Sequence, residues 1–204
     1  INNSNWSELN HDSTRATTSD FSIAIGRQFR PSNTLALTPL LGYSNFEQSL
    51  DISVPRQTVC NAVAPQACIL NNGQVSSDQG RWTTSWSGPW VGIDSRTVIG
   101  DLTLIAELQY HLHNFDGQLG WSGTQNLSQL GGFTQTGSGD GSSISLGASY
   151  WTGAGHINLS YESTQMRTTP GTQLRSVSGN TTSQVLSEVK WSSQVVRLGY
   201  TLRF

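Results

Sequence analysis

Arg197-Leu198-Gly199-Tyr200-Thr201-Leu202-Arg203-Phe204 ends the sequence. Side chains along an extended chain alternate between two faces. Val196, Leu198, Tyr200, Leu202 and Phe204 therefore share one face, and Val195, Arg197, Gly199, Thr201 and Arg203 share the other. An apolar face opposite a mixed one suits a strand standing between hydrocarbon and a wet lumen.

Composition points the same way. Of 204 residues, 35% are hydrophobic and only 12% charged, with 21 Gly and 7 Trp. A soluble domain carries about twice that charge on its surface. No apolar run approaches the ~20 residues of a membrane-spanning helix, which excludes a helical membrane protein. Low charge with many small polar residues and Trp fits a wall with lipid outside, small polar side chains inside and aromatics at the interfaces. The net charge of −2 argues against a nucleic-acid partner. Arg197, Gly199, Leu202 and Phe204 resemble the C-terminal insertion signal of bacterial outer-membrane barrels. That resemblance implies the barrel assembly machinery as a partner and the bacterial outer membrane as the location.

About seven segments alternate, each near the ten residues that a tilted strand needs to cross the hydrocarbon. They cover about 20–29, 34–46, 86–97, 102–113, 143–150, 156–162 and a C-terminal strand beginning near Val185. The clearest is the fourth, with Leu102, Leu104, Ala106, Leu108, Tyr110 and Leu112 against Thr103, Ile105, Glu107, Gln109, His111 and His113. Pro39 lacks a donor, so a bulge or local disruption is expected within the second. Residues 30–33, 98–101 and 152–155 read as tight turns, whereas 47–81, 114–141 and 168–184 read as long polar loops. Short turns on one side and long loops on the other are the asymmetry of an outer-membrane barrel, with the long loops extracellular. The fold class is thus all-β, an antiparallel transmembrane barrel. Counting back from a periplasmic C-terminus puts residues 1–19 in an extracellular loop. Single-chain bacterial barrels have an even strand count. Residues 1–204 are accordingly expected to be one barrel domain, the C-terminal part of a barrel with an odd number of strands upstream.

Short strings resemble the omptins, ten-stranded outer-membrane endopeptidases. They are Asn3-Ser4-Asn5-Trp6, Asp20-Phe21-Ser22-Ile23, Leu41-Gly42-Tyr43, Gly88-Pro89-Trp90-Val91-Gly92 and Glu107-Leu108-Gln109-Tyr110, in family order. The resemblance implies the last seven of ten strands. It also implies an Asp–His dyad just after the fourth segment, where the chain reads His111-Leu112-His113-Asn114-Phe115-Asp116. His113 as base and Asp116 as its orienting carboxylate are the candidates, in reversed order and with altered spacing. The family's lipopolysaccharide site also departs, since Glu47 follows Gly42-Tyr43 without a nearby Arg.

The remaining candidates are structural. Asp94, Arg96, Glu107, His111, Glu162 and Arg197 face inward and are expected to form a polar lumen network. His111 and His113 lack a third ligand at metal spacing, so no metal or cofactor is expected. Cys60 and Cys68 enclose a short segment in an oxidising compartment, and a disulfide is expected. The leading reading is a surface scaffold whose long loops meet a protein partner or lipopolysaccharide. The alternatives are a divergent omptin-type endopeptidase and a small porin.

Overall fold

The computed structural model describes the backbone of residues 6–61, 79–122, 132–177 and 180–202, and side chains within 15–52, 80–120, 132–175 and 181–202. The elements in chain order are β1 (Trp6–Gly26), β2 (Leu35–Asn61), β3 (Gln79–Ile99), β4 (Leu102–Ser122), β5 (Phe133–Trp151), β6 (Gly155–Thr168), β7 (Gly171–Val177), β8 (Asn180–Leu186) and β9 (Lys190–Leu202). They form one antiparallel sheet in the order β1-β2-β3-β4-β5-β6-β9, with β7 on β5 and β8 on β7.

The turns at one end follow from local chemistry. Gly100 and Gly153 take positive φ values of 58° and 89°, the left-handed region that glycine enters without steric cost. Between β1 and β2, Ser32 Oγ accepts from the Leu35 amide at 3.1 Å and closes a Ser-based turn.

The strands are longer than their alternation suggests, because pairing outlasts the apolar pattern. Much of 47–81 and 114–141 is ladder rather than loop: β2 pairs with β3 out to Ile52↔Gly80, and β4 with β5 out to Leu119↔Phe133. Residues 6–19, expected in a loop, belong to β1 and pair with β2 through three register shifts. Outside the lipid the outward face of a strand meets water and no longer needs apolar residues, so the alternation fades while pairing continues. Asp51 on β2 and Arg81 on β3 bond there at 2.8 Å, and the guanidinium holds the carboxyl below its ordinary value.

Two local expectations change. β2 runs through Pro39 in regular register with Ile93, and no β1 residue is paired with the proline, since that ladder ends at Gly26↔Leu40. The interruption falls instead at Gly88-Pro89, where the β3–β4 ladder skips from Ser87↔Asn114 to Trp90↔His111. The last strand begins at Lys190, and Val185 belongs to β8.

The stretch 168–184 is not a loop either. β6 and β7 both pair with β5, on either side of Thr169-Pro170. β8 and β9 return along them, on either side of 187–189. Together they make one long hairpin with a single break, so among the described residues the wall has seven long strands. The break is pinned: Thr168 N donates to Val189 O at 2.9 Å, Thr169 N to Ser138 O at 2.8 Å, and Val189 N to Thr168 Oγ1 at 2.7 Å. Proline cannot continue the ladder, and the break turns Leu186, Val189 and Trp191 inward.

The outer face matches expectation. Leu104, Leu108, Leu146, Leu159 and Leu198 are all exposed, within a belt that also holds Val91, Ile144, Ile157 and Val196. Tyr43, Tyr110, Tyr150 and Tyr200 are exposed on the same face, in keeping with the aromatic girdles of a lipid-facing wall.

Candidate functional site

The concave face is built in rungs, because antiparallel register puts inward residues of neighbouring strands side by side. One rung carries Phe46, Trp86 and Phe115; the next but one carries Gly42, Trp90, His111, Gly141, Met166 and Trp191. Trp90 lies on Gly42, where a Cβ would stand 2.4 Å from the indole. Trp86 packs on Phe115 at 4.6 Å and meets His113 edge-on at 5.0 Å. Phe46 on β2 reaches Trp191 on β9 at 4.4 Å, although four strands separate them in the sheet. That contact spans the trough. With Met166 and Leu186 it forms a buried apolar layer across the interior.

This corrects the expectation of a small, polar interior with aromatics only at the interfaces. Trp82, Trp86 and Trp90 are spaced by four, so one face of β3 presents them all, alternating with Thr84 and Gly88. The even spacing was the available signal. It was masked because Val91 and Ile93 make the opposite face look like the apolar one.

Beneath the aromatic layer lies an open cavity of about 590 Å³, lined by hydroxyls such as Ser44, Ser143, Ser145 and Thr164. The expected network residues sort by rung. Glu162 accepts from Arg197 Nη1 at 2.7 Å, while Glu107 and His111 are joined through Gln109. Gln109 Nε2 donates to Glu107 Oε1 at 2.6 Å, and Gln109 Oε1 meets His111 Nε2 at 2.9 Å. His111 Nδ1 faces Ser44 Oγ at 3.3 Å. Asp94 stands opposite Glu107, and Arg96 opposite Ile105. Neither Asp94 nor Arg96 joins an ion pair among the described residues.

The pair His113 and Asp116 is not brought together. Both lie on one uninterrupted strand, β4, in register with β5 at Gly139 and Thr136. An odd separation on a strand puts two side chains on opposite faces. His113 is buried inside and Asp116 is exposed outside. No sharp turn folds the carboxylate back, because 114–122 continues the ladder. Among the described residues, His113 Nε2 has no hydrogen-bond partner. Leu202, of the insertion pattern, pairs with Gly155, whereas Phe204 lies outside the described residues. So do the Cys68 residue, the Cys60 side chain and Asn3-Ser4-Asn5.

Residues 2–204 match the family model described as Protochlamydia outer membrane protein. The chain belongs to that family. As a Protochlamydia outer membrane protein family member, it is an outer-membrane β-barrel protein. Its fold is similar to that of the outer membrane protease OmpT from Escherichia coli, with a TM-score of 0.70 at 12% identity. The likeness covers 92% of this chain and 64% of that one, so the chain spans less than two thirds of the protease. At that identity the likeness shows the fold alone: an omptin-like antiparallel barrel wall. No curated protein matches the chain.

Proposed function

We propose that this barrel is a non-proteolytic surface scaffold that presents its extracellular strands to a protein partner or to lipopolysaccharide. The observation that carries this reading is the separation of His113 and Asp116 onto opposite faces of β4. A water-activating base needs its carboxylate within hydrogen-bond reach, and a strand in register cannot supply it. What the wall offers instead is length: β4 continues ten residues past the last lipid-facing Leu112, giving a polar rim for docking. The barrel assembly machinery would read Arg197, Gly199, Leu202 and Phe204. Full-length protein, with and without lipopolysaccharide, is expected to leave dibasic peptides intact. Cleavage that disappears in His113→Ala would overturn the scaffold reading and establish an endopeptidase.

The hydroxyl-lined cavity favours a second reading, a small porin. The aromatic layer above it counts against free passage, and conductance decides between the two, as set out in the Discussion.

We also read Cys60 and Cys68 as a disulfide on the extracellular side. Closing so short a loop restricts the unfolded chain by about 2–3 kcal/mol. Intact mass after alkylation without reductant is expected to show no added alkyl group. Two modified thiols would refute it.

A further inference from the structure

Glu107, Gln109, His111 and Ser44 form a directed chain, and its direction follows from Glu107. Gln109 Nε2 donates to Glu107 Oε1 at 2.6 Å, and an amide has its nitrogen and oxygen on opposite sides. The Gln109 oxygen therefore faces His111. That oxygen requires a proton on His111 Nε2, so in the neutral ring the lone pair sits on Nδ1. Nδ1 is the atom 3.3 Å from Ser44 Oγ. The Ser44 hydroxyl thus meets a base in the correct tautomer, oriented by an amide that is itself held by a carboxylate. Nucleophile, base and orienter are in hydrogen-bonding order.

Ser22 completes the arrangement. It lies directly opposite Ser44 in the β1–β2 register. Its Oγ accepts from Trp90 Nε1 at 3.1 Å, which leaves its own hydroxyl proton to donate. Ser22, Ser44, Gln109, Glu107 and His111 all line the open cavity, so a small molecule entering it reaches the hydroxyl. Gly88, in register with Ser44, puts no side chain on β3 between that hydroxyl and β4.

We propose that Ser44 is an activated nucleophile for small carboxylic esters that enter the lumen cavity. Ser44 Oγ attacks the ester carbonyl carbon as its proton passes to His111 Nδ1, and Ser22 donates to the oxyanion. His111 returns the proton to the departing alcohol as the C–O bond breaks, leaving an acyl group on Ser44. Water then attacks that acyl carbon, giving its proton to His111. The carboxylic acid leaves and Ser44 recovers its proton. Gln109 and Glu107 are positioning residues. This site is independent of the scaffold reading, since it uses neither His113 nor the extracellular rim.

The test uses full-length protein in detergent micelles, with folding checked by strand content and heat-modifiable migration. An alkyl fluorophosphonate is expected to add once, at Ser44 by peptide mapping. p-Nitrophenyl acetate is expected to release a burst of about one nitrophenolate per barrel. Ser44→Ala should abolish both, and His111→Ala should slow the burst by about 100-fold. Glu107→Gln frees the amide to flip, so the acylation rate should fall several-fold with KM unchanged. Folded wild-type barrel that takes no adduct, takes it elsewhere, or still bursts as Ser44→Ala would overturn the assignment. If His111→Ala does not fold, the wild-type adduct and Ser44→Ala decide alone.

Discussion

Leu108→Arg is expected to destabilise the folded barrel by about 2–4 kcal/mol if the position lies near the bilayer midplane. Leu108 is 55% exposed on the outer face, with Ile93 opposite it on β3 and Ile144 opposite it on β5. Exposure there means contact with hydrocarbon, where a guanidinium finds no acceptor unless it reaches the interface. The neighbouring Gln109→Arg points the same charge into the cavity and should cost less. Denaturant unfolding from lipid vesicles compares the two. A Leu108→Arg barrel as stable as wild type would defeat the assignment of this face to lipid.

Trp86→Ala is the second large effect, with an expected loss of about 3–5 kcal/mol. The indole is 2% exposed and packs against Phe115 and His113 at once. Removing it leaves a cavity in the apolar layer that crosses the interior. The layer relaxes little, because register with Phe46 and Phe115 fixes the backbone on both sides. The same substitution, paired with Trp191→Ala, reads out the porin alternative. Under the scaffold reading, wild type in planar bilayers shows no steady conductance and the substituted barrels gain it. Wild-type channels already as conductive as the substituted ones would favour a porin.

The outer wall was legible because lipid imposes a strict demand at every second residue. Leu104, Leu108 and Leu112 are apolar for that reason alone, and so are Leu159 and Leu198. Alternation therefore marked the membrane-crossing part of each strand and left the short turns between them, although the last strand begins at Lys190 rather than near Val185. No such demand acts beyond the lipid. There β2, β4 and β5 continue through polar sequence that looks like loop, and cross-strand pairing together with inward residues such as Trp86 and Phe115 keeps them extended. The break at Pro170 was misread for a related reason. A proline and a polar run signal a loop, but neighbours on β5 hold both halves of the strand in line.

The site divides along the same boundary. The inward direction of Glu107, His111 and His113 follows from residue parity, since a strand leaves no other choice. Parity likewise excluded a shared face for His113 and Asp116 once 114–122 proved to be strand. What parity does not contain is curvature. Phe46 and Trp191 are 145 residues apart and come within 4.4 Å only because the sheet coils. Ser44 meets His111 across an intervening strand for the same reason. Alternation is local, so residue parity alone assigns each side chain of a crossing strand to lipid or to the interior. Which inward residues touch was decided only by register and coiling summed over seven strands, and no short stretch encodes that sum.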